Sequence, residues 1–265
     1  MKCKEIIDVL ENLSPVEYAC DWDNVGLLVG RKEKEIRKIM IALDASEEII
    51  SIAVKEQVDM LITHHPMIFS SIKKINEEQF TTAKVLTLAE HGICYYAMHT
   101  NFDTIGGMAE LAAGEKYLNL SDISPIEPEE CSDIGMGRYG KLPESMTAEQ
   151  VAKYVKEKFG IPYVLLYQRE VDRKRIYDHI AVMPGSGKSE MAKVREKGYF
   201  LYLTGDIGHH EGLDAMDMGL SVIDATHYGL EHIFIPYIHD YLEKMLTDGM
   251  VEIVTVDNGC PARVL

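Results

Sequence analysis

Lys38-Ile39-Met40-Ile41-Ala42-Leu43-Asp44, the amphipathic stretch 46–56, and Val58-Asp59-Met60-Leu61-Ile62-Thr63-His64-His65-Pro66 follow one another in the chain. Two short apolar runs of strand length bracket a segment with helical periodicity. Strand, helix and strand in that order predict parallel neighbours with the helix laid across one face. The pattern continues along the chain. Further strands are read at 93–98, 163–167, 176–183, 199–204 and 220–225. Helices are read at 2–13, 77–91, 147–159, 188–197, 209–218 and 227–246. The fold class is therefore α/β, as two αβα lobes with mainly parallel sheets. The Ser-, Pro- and acid-rich stretch 119–135 reads as a linker, which divides the chain into lobes 1–124 and 125–265. The last helix and strand are candidates to pack back on the first lobe. No internal repeat or low-complexity tract is read.

Bulk properties narrow the function classes. The 265 residues are enough to bury a substantial core, and the hydrophobic and charged contents, 46% and 26%, are those of a globular protein. A formal net charge of −16 repels phosphate backbones, which argues against nucleic acid as a partner. The N-terminus lacks an apolar h-region and no apolar run approaches a membrane span, so a cytoplasmic protein is expected. Cys3, Cys20, Cys94, Cys131 and Cys260 are odd in number and scattered, as reduced thiols would be.

In open α/β sheets ligands bind beyond the carboxyl ends of the strands. Metal-type side chains collect there: Asp44 after 38–43, His64 and His65 after 58–63, and His99 to Asp103 after 93–98. Asp206, His209 and His210 follow 199–204, and His227 follows 220–225. Adjacent residues on a flat strand face opposite ways, so the strand must end or bend if both His64 and His65 serve one site. Pro66 biases His65 toward extended backbone. Taken alone, the pair reads more readily as one packed and one solvated histidine. His227 and Glu231, four apart on a helix, share a face with Cβ atoms roughly 5–6 Å apart. They can converge on a cation or simply bond to each other. Asp103 is a carboxylate able to bridge two cations, while His99 is either a ligand or a partner to one. Gly185-Ser186-Gly187-Lys188-Ser189 shares the end of a phosphate-binding P-loop, but Val182 stands where that motif needs its first glycine. The loop's amides retain the option of cradling an anion.

Together these segments resemble the NIF-three-like dinuclear-metal family, whose members carry the label of GTP cyclohydrolase type-two homologues. The matching pieces are Asp21–Leu27, Leu43–Ser46, Ile62–Pro66, His99–Asp103, Gly137–Leu142, Gly185–Gly187, Thr204–Asp206 and Asp224–Glu231, in family order over nearly the whole chain. The resemblance implies two divalent metal ions per chain (Zn, Fe or Mn) held by His64, His65, Asp103, His227 and Glu231, at strand ends between the lobes. It further implies a toroidal homohexamer without the inserted mid-chain domain of longer relatives. Thr226 and Pro184 depart from the pattern, standing where the family often has glycine.

Three functions follow as alternatives. The first is a metal-dependent hydrolase of a nucleotide-like, phosphoester or cyclic amide substrate, with Asp44, His99 and His210 as candidates for moving protons. The second is a non-catalytic metal-binding, metal-chaperone or regulatory protein. The third is a mononuclear zinc protein with some of the five residues outside the coordination sphere.

Overall fold

A computed structural model describes residues 1–105, 107–128, 134–247, 249 and 251–264. The chain divides into two compact units, Met1–Gly106 with Phe234–Gly259, and Gly107–Ile233 with Cys260–Leu265.

In the first unit β1 (Gly26–Val29), β2 (Lys38–Ala42), β3 (Met60–Thr63), β4 (Cys94–Ala97) and β11 (Glu252–Thr255) form one sheet in the order β1-β4-β3-β2-β11. The pairings β11/β2, β2/β3 and β3/β4 are parallel, and β1 adds antiparallel at the edge. Both faces of such a sheet must be covered, which is why β2 and β3 are apolar on successive residues rather than alternate ones. On one face Met40, Leu61 and Tyr95 pack with Ile49, Ile50 and Ala53 of α2 (Glu47–Lys55) and Leu88 of α3 (Phe80–Glu90). The other face takes α1 (Cys3–Leu13) and α10 (Phe234–Met245), whose buried Ile6, Leu10, Phe234, Ile238 and Leu242 supply its core. Helix α2 starts where the Ser46 hydroxyl accepts from the Ile49 amide, a cap worth about 1 kcal/mol.

In the second unit β5 (Ser121–Pro128), β6 (Gly135–Thr147), β7 (Leu165–Tyr167), β8 (Ile176–Val182), β9 (Leu201–Thr204) and β10 (Ser221–Asp224) run in the order β5-β6-β8-β9-β10-β7. Here β8/β9 and β9/β10 are parallel, while β5/β6, β6/β8 and β7/β10 are antiparallel. The parallel character thus holds for the first sheet and for the centre of the second, whose flanks are antiparallel. Helices α7 (Met191–Glu196) and α8 (His209–Asp217) bury Met191, Val194 and Ala215 against Ala181, Tyr202 and Val222. Helices α5 (Met108–Ala113) and α6 (Ala148–Phe159) also pack on this sheet.

The strands read from apolar runs all occur, within two residues at each end. Two expectations change. The stretch read as a linker at 119–135 carries β5, paired to β6 on both sides of the expected division at 124/125. Its Pro125 and Pro128 are tolerated because β5 lies at the sheet edge; residues 129–133, with Cys131, lie outside the described residues. The helix expected over 227–246 is two helices, α9 (His227–Glu231) and α10. Pro236, in the first turn of α10, has no N–H for the His232 carbonyl, so one continuous helix would lose that bond. Among the described residues no helix is long and apolar enough to cross a membrane.

Candidate metal centre

Strand β3 ends at Thr63, and the backbone bends at the next two residues: the amides of His64 and His65 both donate to the Leu43 carbonyl, at 3.2 and 3.1 Å. A buried phenol pins the bend. The Tyr95 hydroxyl donates to the His65 carbonyl at 2.9 Å, accepts from the Met67 amide at 3.0 Å, and lies 2.9 Å from the Thr63 hydroxyl. Burial pushes its pKa up to about 12, so it stays a neutral donor. The bend is what a shared site demanded, and it brings the two imidazoles together with ring centroids 4.9 Å apart.

Each ring is oriented through Nδ1. His64, fully buried, donates from Nδ1 to the Met98 carbonyl at 2.8 Å. His65 donates from Nδ1 to Asp44 Oδ1 at 2.8 Å. With Nδ1 protonated, the lone pair sits on Nε2 in both rings. The short helix α4 (Thr100–Thr104) then supplies Asp103, whose Oδ1 lies 3.7 Å from His64 Nε2. That is too long for a hydrogen bond and close to the separation, about 3.3–3.6 Å, of two ligand atoms each about 2.0–2.2 Å from one tetrahedral cation.

His99 precedes α4 and joins the pair: one donor atom each from His64, His65 and His99 lie within 4.8 Å of one another, a grouping that could hold a metal ion. Its Nδ1 is held at 3.0 Å by Asp23, which also accepts from the Thr100 amide and hydroxyl. Burial works against the Asp23 charge, but donation by His99 and Thr100 outweighs it and holds the carboxyl below the usual range.

The second unit repeats the device. His227 Nδ1 donates to Asp206 Oδ2 at 2.8 Å, and His227 Nε2 lies 3.0 Å from Oε2 of the buried Glu231. The shared helix face read from the i,i+4 spacing is realised in α9. Its entry is strained: Thr226 has φ +64° and ψ 158°, and Asp206 has φ +59°. The Thr226 hydroxyl nevertheless caps α9, accepting from the Gly229 amide at 3.1 Å. Asp224 ties the two strand ends, accepting from the Ile207 and Thr226 amides at 3.0 and 2.8 Å. Burial raises its pKa.

The Gly185–Ser189 loop closes on this pair and is tied to the end of β9. The Gly187 amide is spent on the Thr204 hydroxyl at 3.0 Å, and the Gly205 amide on the Gly185 carbonyl at 2.9 Å. Gly185, at φ +73°, must lack a side chain, since a Cβ would sit 2.6 Å from Glu231 Oε1. Of the proton-moving candidates, Asp44 and His99 are engaged in orienting bonds. His210 is exposed in the first turn of α8, its ring edge-on to His209 at 5.2 Å.

Asp23, Asp206 and Gly185 went unassigned in the sequence. Asp206 had a signal. The passage β2-Asp44-α2-β3-His65 recurs as β9-Asp206-α8-β10-His227, each aspartate 21 residues before its histidine. Counterparts lie 162 positions apart throughout, as 44 to 206 and 65 to 227. The backbone agrees: Val58 N to Ala53 O and Leu220 N to Ala215 O are both 2.9 Å, and Gln57 and Gly219 both take positive φ. The strand–helix–strand passage therefore recurs in structure, where the sequence by itself shows no repeat. Asp23 had no signal beyond the family motif around it.

Residues 1–261 match the family Duf34/NIF3 (NGG1p interacting factor 3). The GTP cyclohydrolase 1 type 2 homolog of Clostridium perfringens is 30% identical over 266 residues, 98% of each chain. That of Methanocaldococcus jannaschii is 35% identical, over 97% of this chain and 100% of its own. Among solved structures, a Bacillus cereus protein related to NIF3 superposes with a TM-score of 0.89 at 21% identity, covering 100% of this chain and 99% of its own, which shows a shared fold. By the match across nearly its whole length, this chain is a member of the Duf34/NIF3 family.

Proposed function

We propose that the protein is a dinuclear-metal hydrolase acting on a nucleotide-like, phosphoester or cyclic amide substrate, with His64, His65, Asp103, His227 and Glu231 as the ligands. One observation carries the reading: in each unit a strand-end aspartate holds Nδ1 of a strand-end histidine, the arrangement by which proteins orient metal-ligating imidazoles. The donor set, imidazole nitrogens with carboxylates, fits Zn, Fe or Mn. Bound divalent cations would supply Lewis acidity and a hydroxide nucleophile near neutral pH.

The chain's own residues do the rest. Asp44 and Asp206 set the ring planes and fix the tautomers of His65 and His227. The Met98 carbonyl does so for His64. Glu231, buried and backed by Gly185, has little room to change rotamer. Asp103, partly exposed on α4, is the carboxylate suited to bridging. The name its relatives carry, GTP cyclohydrolase 1 type 2 homolog, supports a nucleotide-like substrate. We further propose a cytoplasmic homohexamer.

Elemental mass spectrometry of protein purified without added metal or chelator tests this, beside Asp103→Ala and Glu231→Ala. About two metals per chain, falling in both variants, is the expected result, and a phosphoester and nucleotide screen then reads turnover. One zinc per chain, indifferent to Asp103→Ala, would overturn the dinuclear assignment. Two metals without turnover on any substrate would favour metal handling over hydrolysis.

A further inference from the structure

The chain's one tryptophan is not in the core. Trp22 is 64% exposed and stands edge-on to His99 with ring centroids 6.0 Å apart at 77°. Phe69, 56% exposed, meets the same imidazole at 6.1 Å and 83°. Aromatic side chains of this size repay burial strongly, so two left in water beside one histidine mark a surface built to be covered. Phe69 also lines a cavity of about 580 Å³ formed by the segment from Met67 to Thr82. Its wall carries Lys73 and Lys74 with the hydroxyls of Ser70 and Ser71, against a single carboxylate, Glu78. In a chain of net charge −16 this is a local reversal of sign, suited to an anion.

We propose that Trp22 and Phe69 form a stacking platform for a flat nitrogen heterocycle, whose phosphate-bearing arm runs along this cavity to Lys73 and Lys74. This names the substrate class of the hydrolase reading and rests on it: the platform touches His99, so a stacked ring is delivered beside the His64–His65–His99 grouping. The π-faces accept a ring without reading its edge, so recognition is by flatness and by charge on the arm, and pyrimidine and purine nucleotides both fit the class.

Trp22 is its own reporter. The full-length protein as purified is titrated with guanosine 5′-monophosphate while tryptophan emission is followed, with ribose 5-phosphate and inorganic phosphate as controls. Metal content of each sample is counted in parallel. The expected result is saturable quenching by the nucleotide and none by the controls. Phe69→Ala should weaken it roughly 5- to 150-fold, the range for losing one stacked base. The Lys73→Ala/Lys74→Ala double variant should bind more weakly and lose most of the salt dependence. Trp22→Phe, followed by calorimetry, should keep most of the affinity, because a ring remains. Metal content should be unchanged in all of them. Ribose 5-phosphate acting as well as the nucleotide would overturn stacking. No quenching of a two-metal protein would overturn the platform and leave the metal reading standing. Quenching of a protein that holds no metal would do the reverse. Emission that follows protein concentration and molecular mass instead of nucleotide would make the surface a contact between copies and sink the proposal.

Discussion

Replacing Thr226 by glycine should stabilise the protein, although it removes a helix cap. Thr226 sits at φ +64° and ψ 158°, a region that is essentially glycine's own and costs a β-branched residue about 1–3 kcal/mol. Thr226→Gly releases that strain. Against it stand the extra freedom of glycine in the unfolded chain, about 0.5–1 kcal/mol, and the loss of the hydroxyl that accepts from Gly229, a few tenths when the replacement is glycine. The balance is about 1 kcal/mol in favour of the variant. Thr226→Ala gives the contrasting case, because it loses the cap, about 1 kcal/mol, and keeps the strain. Glycine and alanine variants should therefore differ by about 2 kcal/mol, with wild type between them. Equilibrium urea unfolding followed by circular dichroism reads the difference, in chelator so that metal binding does not add to it. A glycine variant no more stable than the alanine variant would refute the claim that the entry to α9 is held under strain.

Three further outcomes follow from the site and its supports. Asp44→Asn and Asp206→Asn, each leaving an amide where a charged acceptor held an imidazole, should weaken metal binding about 10- to 100-fold by competition with a chromogenic chelator; unchanged affinity would deny both residues their orienting role. Gly185→Ala should cost at least about 1–2 kcal/mol in thermal unfolding, since the new Cβ is both left-handed in backbone and 2.6 Å from Glu231 Oε1; a neutral result would mean the loop moves aside. Asp59 accepts from Lys34 and from the Arg37 and Lys38 amides, which outweigh the opposing effect of burial and hold its pKa down. A depressed carboxyl contributes stability that is present above its unfolded pKa, about 3.9, and is lost as pH falls through the folded value. The deficit of Asp59→Asn, about 1–3 kcal/mol near pH 7, should therefore shrink below about pH 4 in urea titrations; a deficit constant down to about pH 2 would contradict the assignment.

The elements legible in the sequence are those whose apolar residues answer to one environment. Strands β2, β3 and β9 are buried on both faces, so their runs are unbroken and stand out from the polar segments around them. Strands β1, β5, β7 and β11 are sheet edges, of which only β7 is read from its apolar run, and β6 lies next to one. There half the side chains meet water and prolines are tolerated, so β5, with Ser121, Asp122, Pro125 and Pro128, carries the composition of a linker. The short α4 and α5 escape for another reason. Five and six residues give too few turns for periodicity to register, although α4 carries Asp103 and its preceding residue is His99.

The site was partly legible because ligand-type residues gather at strand ends, and partly hidden because what holds them is tertiary. Nothing near His99 in the chain announces Asp23, which reaches it across 76 residues. The repeat does not show as identity: over the 27 positions from Ile39 and Leu201 onward, only Asp44/Asp206, Ala53/Ala215 and His65/His227 are identical. Those three identities have a physical logic. Ala53 and Ala215 are fully buried where each helix crosses its sheet, so a larger side chain would push the helix off. Asp44 and Asp206 end one strand and the histidines follow the next parallel strand, so ring and carboxylate meet only if the strand–helix–strand spacing is kept. A covering helix of nine residues in both copies fixes that spacing, and the 21-residue interval is its consequence. The rest of the module is free to change its side chains so long as it stays apolar on the covered faces. The repeat is therefore one of geometry and hardly one of letters, and the aspartate–histidine interval is the feature by which it can be found.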